Sequence, residues 1–458
     1  MDTYLKLIKK ETSQRTNIIK ILAHTTWGFK SKLLIQLHKA LIRSKLEYGA
    51  EVYLSAKTRA LKTIDPMHNT CLRLAIGAFK SSPVESIYNI SSEPPLWIRR
   101  IKIALNFAAR LTRNNNEKLI PEHIKQIITK FELDFSNMIK NSIKQAPPWS
   151  TKIYITVELS ENKKKETSPE IFKNLFHDLK SNLIGQDIYT DASKSEQGVG
   201  IAIIIDTKIT TYKLQKNCSI YTAEAIAILS ALKLIENDTH QYYNIFTDSL
   251  SIINSIQNTF HTNDIATTII NQVEKLKNLN KNIKFIWTPG HCKINGNELA
   301  DQHAKKATLS EAPKQKYNTI IDTKNHINIL TRNIWQNHWV NQKNKLREIK
   351  QNINPWPQTK TTRKTEIIIT RLRIGHTLLT HGHLMNNQTP TECPSCGTTL
   401  TVKHLLTECR SNEEERKKHN IPSNLYEIIG PDSLPETILS FLKALNLEKK
   451  HTIINTYI

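Results

Sequence analysis

The sequence contains few glycines, few cysteines and no long apolar run. Its 458 residues include only 12 glycines, and none belongs to a glycine-rich loop that cradles nucleotide phosphates, which argues against kinase-type nucleotide binding. Six cysteines are too few for a disulfide framework in a chain of this length. No apolar stretch is long enough to cross a bilayer, and residues 1–20 lack the apolar segment of a secretion signal. We therefore expect an intracellular protein of more than one domain.

Positive charge is in excess. The chain has 64 Lys and Arg against 41 Asp and Glu, which gives a formal net charge of +23. Such an excess suits a polyanionic partner, and nucleic acid is the natural one. An anionic membrane surface is the alternative, but without a spanning segment we predict no membrane partner.

Some acidic residues stand where a carboxylate is costly to bury. They lie at the ends of predicted strands and within apolar helices over residues 187–308: Asp191, Glu224, Asp248 and Asp301. Without partners such groups would strain the fold or stay protonated, whereas oxygen-bound divalent cations would balance their charge. Taken singly, each has an ordinary explanation as a turn residue, a first-turn helix acid or, for Asp301, an ion pair with Lys305. Together, the four favour the metal interpretation.

The hydrophobic pattern around these acids predicts a mixed α/β layer. Short runs rich in β-branched and aromatic residues predict strands over 187–191, 198–205, 209–214, 244–248 and 283–287. Helical periodicity predicts helices over 223–236, 250–257 and 265–279, and a last helix after residue 295 or 297. Thr222 is the predicted N-cap of the first of these helices, and Asn295 or Asn297 that of the last.

The blocks that contain the four acids resemble the signature blocks of type 1 ribonuclease H. They occur in that family's order and at similar spacing: Thr190-Asp191-Ala192-Ser193, Thr222-Ala223-Glu224, Thr247-Asp248-Ser249, and Thr288-Pro289-Gly290-His291 through Ala300-Asp301. The resemblance covers residues 184–308. It implies a ribonuclease H-like mixed five-stranded sheet with flanking helices, and hydrolysis of the RNA strand of RNA–DNA hybrids.

The resemblance also implies roles for particular residues. The implied ligands of two Mg²⁺ ions, with Mn²⁺ as an alternative, are Asp191, Glu224, Asp248 and Asp301. His291 corresponds to the family's mobile histidine, which assists proton transfer or product departure. Ser193 is expected near the RNA backbone, and Ser219 and Asn297 near a phosphate of the DNA strand. Ile220 departs from the family, because some members have a polar minor-groove residue there.

A second set of metal-binding residue types lies near the C-terminus. The spacing C-x2-C-x7-H-x4-C is formed by Cys393, Cys396, His404 and Cys409. Three thiolates and one imidazole complete a tetrahedral zinc shell, so no position is open to a substrate. We therefore predict one structural Zn²⁺, the alternative being four unrelated residues.

Segments outside the ribonuclease H blocks resemble parts of jockey-like non-LTR retrotransposon polyproteins. Residues 41–50 and 73–83 are similar to the segment that follows the reverse transcriptase palm, and residues 370–383 with the Cys/His set are similar to the C-terminal tail. The paired aspartates of that family's palm are absent from this sequence. We therefore expect a chain that lacks the palm and does not polymerise DNA, with element RNA or template as a further partner.

The predicted organisation has five parts. They are a helical thumb and connection remnant over 1–130, a linker over 131–183, the ribonuclease H domain over 184–308, a tether over 309–365 and a zinc-containing module over 366–445. Within the linker, residues 153–157 are able to pair as a strand. The basic face of residues 1–130 either contacts a template or is simply solvated. In the tether, Trp335, Trp339 and Trp356 are predicted to be packing anchors rather than platforms for bases.

Two other functions stay open. One is a catalytically silent nucleic-acid-binding remnant of the element, against which the intact acids and His291 argue. The other is a DNA-directed nuclease on the same fold. A contact of Glu224 with a ribose 2′-hydroxyl would distinguish RNA cleavage from this second alternative.

Overall fold

The computed structural model describes residues 2–140, 152–162, 166–258, 263–315, 317–357 and 361–447. The parts of the predicted linker at 141–151 and 163–165 lie outside these described residues. The chain divides into two compact units, Leu105–Ile327 and the combination of Met1–Ala104 with Asn328–Ile458. No helix in the described ranges is long and apolar enough to cross a membrane.

Helices dominate both ends of the chain, and the strands lie between them. The first helices are α1 (Asp2–Leu22), α2 (Ser31–His38), α3 (Ser44–Glu47), α4 (Ala50–Tyr53), α5 (Thr58–Leu61), α6 (Asp65–Ile76), α7 (Val84–Ser91), α8 (Leu96–Arg113) and α9 (Glu122–Lys130). Next come β1 (Tyr154–Thr156), α10 (Pro169–Ser181), β2 (Gln186–Lys194), β3 (Val199–Ile205), β4 (Lys208–Leu214), α11 (Ile220–Ile235), β5 (Tyr242–Thr247), α12 (Leu250–Gln257), α13 (Asp264–Asn278), β6 (Asn282–Trp287) and α14 (Asn295–Leu309). The last helices are α15 (Ile320–Val340), α16 (Arg363–Ile374), α17 (Leu378–His381), α18 (His383–Asn386), α19 (Glu413–Lys418), α20 (Leu425–Ile429) and α21 (Pro435–Ala444).

One mixed sheet organises the unit Leu105–Ile327. Among the described residues its strand order is β1-β6-β5-β2-β3-β4, with β1, β6, β5 and β2 parallel and β3 and β4 antiparallel to their neighbours. The predicted mixed α/β fold with flanking helices is confirmed. The five strands predicted for residues 184–308 are present as β2 to β6, and β1, from outside this segment, adds a sixth strand beside β6. This strand comes from the segment that the sequence assigns to a linker, where residues 153–157 are able to pair.

Helices cover both faces of this sheet. Helix α11 is buried along nearly its whole length, and Ile226 and Leu229 pack with β2, β3 and α13 on one face. On the other face, α14 lies against β2 and β3, and Phe176 of α10 joins the core beside Phe246. Gly200 permits the close approach of α14, because a Cβ there would lie 2.4 Å from the carbonyl oxygen of Ala304. Helix α10 also comes from the predicted linker.

The helix starts differ from two of the predictions. Ser219, rather than Thr222, is the N-cap of α11, and its side chain accepts a hydrogen bond from the Thr222 amide at 3.2 Å. Helix α14 begins at Asn295 after Ile294 and has no side-chain cap, so neither Asn295 nor Asn297 caps it. Several polar residues lie near each helix start, and the local backbone decides which of them reaches a free amide.

The second unit joins the two ends of the sequence in one core. Leu72 and Ile76 of α6 pack with Leu372 of α16 and with Trp335 and Trp339 of α15. The two tryptophans are buried, as the packing-anchor prediction expects. The predicted zinc-containing module therefore shares its core with the predicted thumb remnant, and part of the predicted tether is a core helix.

Arginines of α16 bind helix ends inside this unit. Arg371 donates to the carbonyl of Gly77 at 2.8 Å, just after α6, and Arg373 donates to the carbonyl of Ile429 at 2.8 Å, at the end of α20. Cations at helix C-termini interact favourably with the carbonyls left free there. These two charges thus stabilise the fold instead of belonging to a solvent-exposed basic surface.

Candidate active site

Three carboxylates meet at one edge of the sheet. Asp191 lies on β2, Asp248 directly follows β5, and Glu224 lies in the second turn of α11. Strands β2 and β5 are parallel neighbours with Thr190 opposite Thr247, so the residue that follows each falls at the same edge. One ligand oxygen from each of the three acids lies within 4.8 Å of the others.

This group concentrates negative charge in a buried place. Asp191 is 5 % and Glu224 is 7 % exposed. Burial, and then the charge of Asp248, raise the pKa of Asp191 to about 8. Burial, and then the charges of Asp191 and Asp248, raise the pKa of Glu224 well above its ordinary value. The amide of Ala192 donates to Asp191 Oδ1 at 2.7 Å, which offsets only part of this cost.

The donor set fits a divalent cation. Glu224 Oε2 is buried and has no hydrogen-bond partner among the described residues. Carboxylate oxygens are the ligands that Mg²⁺ and Mn²⁺ prefer, and a bound cation would remove the repulsion that raises both pKa values. The three acids are therefore suited to hold such an ion.

The fourth predicted ligand has different neighbours. Asp301, on α14, forms a second group with His291 and Glu298, whose ligand atoms lie within 4.8 Å of one another. Lys305 Nζ donates to Asp301 Oδ2 at 2.6 Å, so the i,i+4 ion pair considered from the sequence is present. The charge of Asp301 still reaches Asp191 and contributes to its raised pKa. The structure therefore brings three of the four predicted acids into one group and places Asp301 beside it.

Glu298 is a member of the second group that the sequence did not single out. It precedes Asp301 by three residues on α14, and this spacing was the available signal, because residues three apart share a helix face. Its Oε1 also accepts from the amide of Lys293 at 3.3 Å, which ties the loop before α14 to the helix.

The loop before α14 carries the predicted histidine. His291 is 67 % exposed, adopts a φ of 58°, and its Nδ1 lies 3.9 Å from Asp301 Oδ2. The preceding Gly290 lets this loop pass Asp248, since a Cβ there would lie 2.5 Å from Asp248 Oδ2. On the strand side, Trp287 Nε1 donates to the carbonyl of Asp248 at 3.0 Å. The Pro-Gly-His sequence thus places an exposed imidazole next to the acids.

The segment that carries both groups matches a known family. Residues 185–309 match the family model of RNase H. These residues form an RNase H domain. The match includes β2 to β6 and α11 to α14, and with them all five predicted catalytic residues. A search of curated proteins finds no match to the chain.

The compact unit extends beyond the matched RNase H domain on both sides. The amide of Gln315 donates to the carbonyl of Lys213, a residue of the edge strand β4, at 2.9 Å. The amide of Ile139 donates to the carbonyl of Asn318 at 2.7 Å. Residues from the predicted linker and tether therefore belong to the same compact unit as the domain.

The predicted substrate contacts have mixed surroundings. Ser193 is half-buried near the end of β2, opposite Gly200. The backbone amide of Ser219 donates to Asp322 Oδ1 at 3.2 Å, so a carboxylate already occupies the start of α11. Asn297 is 2 % exposed and its Oδ1 accepts from Thr288 Oγ1 at 3.3 Å. In this structure the Asn297 side chain is therefore bonded to Thr288, at the start of the loop that carries His291, and does not reach the surface.

The four predicted zinc ligands form one tight group. Their ligand atoms, from Cys393, Cys396, His404 and Cys409, lie within 4.8 Å of one another. The sulfurs of Cys393 and Cys409 are 3.7 Å apart. Two sulfurs bound at about 2.3 Å to one tetrahedral ion lie about 3.8 Å apart, whereas a disulfide would require about 2.04 Å. The separation therefore fits a shared zinc ion.

The imidazole and one thiol of this group suit metal binding. His404 Nε2 is buried and has no hydrogen-bond partner among the described residues, while Nδ1 lies 3.5 Å from Thr398 Oγ1. Burial by itself raises the pKa of Cys409, but hydrogen bonds, first from Ser411, lower it to about 7. A partly ionised thiol and an imidazole nitrogen left free are the states in which these groups bind zinc.

Replacing Asp191 by Asn should stabilise the protein in magnesium-free buffer. The folded pKa of about 8 lies above the unfolded value of about 3.9. This group's contribution to stability is therefore fully present below about pH 4 and is lost as the pH rises through about 8. At pH 8 the variant's thermal midpoint should exceed that of the wild type by several degrees, and the difference should shrink toward pH 4. Equal midpoints at pH 8 would contradict the buried repulsion.

Replacing Lys305 by Met should tighten the binding of divalent ions. The Lys305 ammonium is bonded to Asp301 Oδ2, and a cation that uses this oxygen must displace it. Calorimetric titration with Mg²⁺ or Mn²⁺ should give a several-fold lower Kd for the variant. Lys306→Met removes the same charge from the neighbouring exposed position and is the matched control. An unchanged Kd in the Lys305 variant would show that the ion pair does not compete.

Proposed function

We propose that the protein is an endonuclease that hydrolyses the RNA strand of RNA–DNA hybrids. The observation that carries this proposal is the convergence of Asp191, Glu224 and Asp248 on one point within the segment that matches RNase H. Hydrolysis of a phosphodiester needs charge stabilisation at the attacking and the leaving oxygen. Divalent cations held by these three carboxylates would provide it.

The residues of the two groups have separate tasks in this proposal. Two divalent ions, when bound, would activate the attacking water and stabilise the leaving 3′ oxygen. Asp191, Glu224 and Asp248 would hold these cations next to the scissile phosphate. Asp301 adds the fourth carboxylate once its oxygen is released from Lys305. Glu224 is also proposed to contact the ribose 2′-hydroxyl, which would give selectivity for RNA over DNA.

His291 is proposed to move a proton near the site. Its ring is largely exposed and lies on the loop beside Asp301. Histidine is the side chain most often used to transfer protons in enzyme active sites. The exposed position also allows the ring to follow a departing product.

A single cleavage assay tests the proposed function. RNA labelled at its 5′ end is offered as a hybrid with DNA, as single-stranded RNA and as an RNA duplex, and the same label is placed on duplex DNA. With Mg²⁺ we expect internal cuts only in the RNA of the hybrid. Cleavage of duplex DNA would favour the DNA-directed nuclease, and tight hybrid binding without cleavage would favour the silent binding protein.

We also propose that the protein derives from a jockey-like non-LTR retrotransposon. Support comes from the resemblance of its flanking segments and from the Cys3His group in the C-terminal part. In such an element the substrate would be the hybrid formed on the element's own RNA. Sequencing of the genomic locus tests this origin, because a palm with paired aspartates should be encoded in the same element.

Replacing His291 by Ala should slow turnover by about 10²-fold, because an acid–base group is lost from the site. Binding of Mg²⁺ by the three-acid group, Asp191, Glu224 and Asp248, should stay nearly unchanged, since His291 is not part of that group. Initial rates on a labelled hybrid and a calorimetric Mg²⁺ titration measure the two effects. His177→Ala, at an exposed position on α10, is the control. Loss of Mg²⁺ binding in the His291 variant would contradict the proposed role.

A further inference from the structure

A cluster of exposed apolar side chains lies around the turn between α1 and α2. Ile21, Trp27, Phe29 and Leu33 are 65, 64, 43 and 41 % exposed, respectively. Single exposed apolar residues are ordinary, but several within so short a segment indicate an interaction surface. We call Ile21, His24, Trp27, Phe29 and Leu33 the Trp27 surface.

The turn holds its aromatic rings in place. The rings of His24 and Trp27 stack with centroids 4.7 Å apart and planes inclined by 14°. The amide and hydroxyl of Thr26 lie 3.3 and 3.1 Å from His24 Nδ1. Gly28 closes the turn, because a Cβ there would lie 2.2 Å from the carbonyl oxygen of His24. A large flat ring is therefore presented to solvent with little conformational freedom left to lose on binding.

The segment that carries this surface has charge of one sign. No acidic residue occurs between Glu11 and Glu47, whereas Lys20 and Lys30 are exposed within this stretch. A second copy of a chain with a net charge of +23 would be repelled. A polyanion would be attracted, and the apolar rings select one whose flat, unpaired bases are accessible.

One carboxylate reaches the start of α2 from another helix. Glu366 of α16 accepts from the amide of Ser31 at 3.0 Å. Arg363 Nη1 lies 3.8 Å from the same carboxylate and balances its charge. The exposed lysines of this stretch, Lys20 and Lys30 among them, therefore set the sign of the charge beside the rings.

We propose that the Trp27 surface binds unpaired bases of single-stranded DNA. Aromatic rings beside lysines are the sequence-tolerant means of holding a single strand, because each base has a face to stack and a phosphate to pair. The choice of DNA rests on the proposed function. Hydrolysis of the RNA strand leaves its DNA complement unpaired and next to the protein that released it.

Fluorescence anisotropy of labelled oligo(dT) with the whole chain, in magnesium-free buffer, tests this surface. Trp27→Ala should weaken binding by about fivefold or more, and Trp27→Phe, which keeps a stacking ring, should retain most of the affinity. Tyr48→Ala is the matched control. Tyr48 is 71 % exposed in the same unit but lies between Glu47 and Glu51, so its loss should change the affinity little.

The salt dependence of oligo(dT) affinity distinguishes phosphate contacts from base stacking. Replacing both Lys20 and Lys30 by Gln should lower the slope of log affinity against log salt by about 1.4, which is about 0.7 for each phosphate contact with a single strand. Trp27→Ala should leave this slope unchanged. A slope unaffected by the lysine pair would overturn the proposed phosphate contacts.

Two outcomes overturn the proposal and leave the proposed function intact. One is oligo(dT) binding that Trp27→Ala does not weaken, while the same variant cleaves a blunt hybrid at the wild-type rate. The other is a Trp27-dependent preference for oligo(rU) over oligo(dT). In contrast, a wild-type protein that binds oligo(dT) through Trp27 but cleaves no hybrid would contradict the proposed function alone.

Discussion

Replacing Asp248 by Asn should lower hybrid cleavage by about 10³-fold or more, because each tenfold in rate corresponds to about 1.4 kcal/mol and a lost metal contact costs several times that. The change keeps the side-chain shape but removes one of three anionic oxygens that converge within 4.8 Å. It also removes the neighbouring charge that helps to raise the pKa values of Asp191 and Glu224. Initial rates on a labelled RNA–DNA hybrid with Mg²⁺ measure the effect.

The matched control for this result is a second Asp→Asn variant. Asp178→Asn makes the same chemical change at an exposed position on α10, outside both acidic groups. It should cleave at nearly the wild-type rate. If Asp248→Asn also retained wild-type cleavage, the three-acid group would not be the catalytic centre, and the assignment of the active site would be wrong.

Replacing Cys396 by Ser should release the structural zinc and loosen the unit that contains it. One of four converging ligands is lost, and structural zinc commonly supplies much of the folding free energy of such a site. The effect should extend beyond residues 391–410, because Leu406, between two of the ligands, packs in the same core as Leu72 and Trp339. Atomic emission should show the loss of one zinc per chain, and amide exchange should quicken in α16 and α6.

Hybrid cleavage by the Cys396→Ser variant should change much less than its zinc content. The RNase H domain has its own core around Ile203, Ile226 and Phe285, so its activity should persist. Cys292→Ser, which alters a buried cysteine outside the metal group, should keep its zinc. A wild-type protein without zinc under reducing conditions would disprove the zinc site. Complete loss of cleavage in Cys396→Ser would show that zinc supports more than its own unit.

Periodicity located the elements of the RNase H domain closely. The predicted helix 250–257 has the same bounds as α12, and the predicted strands at 209–214 and 283–287 differ from β4 and β6 by one residue at the start. Local patterns suffice there because each element alternates or repeats its apolar positions. The local pattern does not predict that β1 joins the sheet of the RNase H domain or that α10 packs on it. Their partners lie far away along the chain, and residues 161–168 between β1 and α10 are polar or charged without exception.

Sequence by itself determined which residue types were available: four acids in a recognisable order, and three cysteines with a histidine at zinc-binding spacing. Only the tertiary structure decided which of them meet. It brought Asp191, Glu224 and Asp248 together. It paired Asp301 with Lys305, placed it in the group with His291, and buried Asn297. Spacing along a chain sets the face of a helix or strand, whereas distances between elements follow from packing, which depends on the whole core.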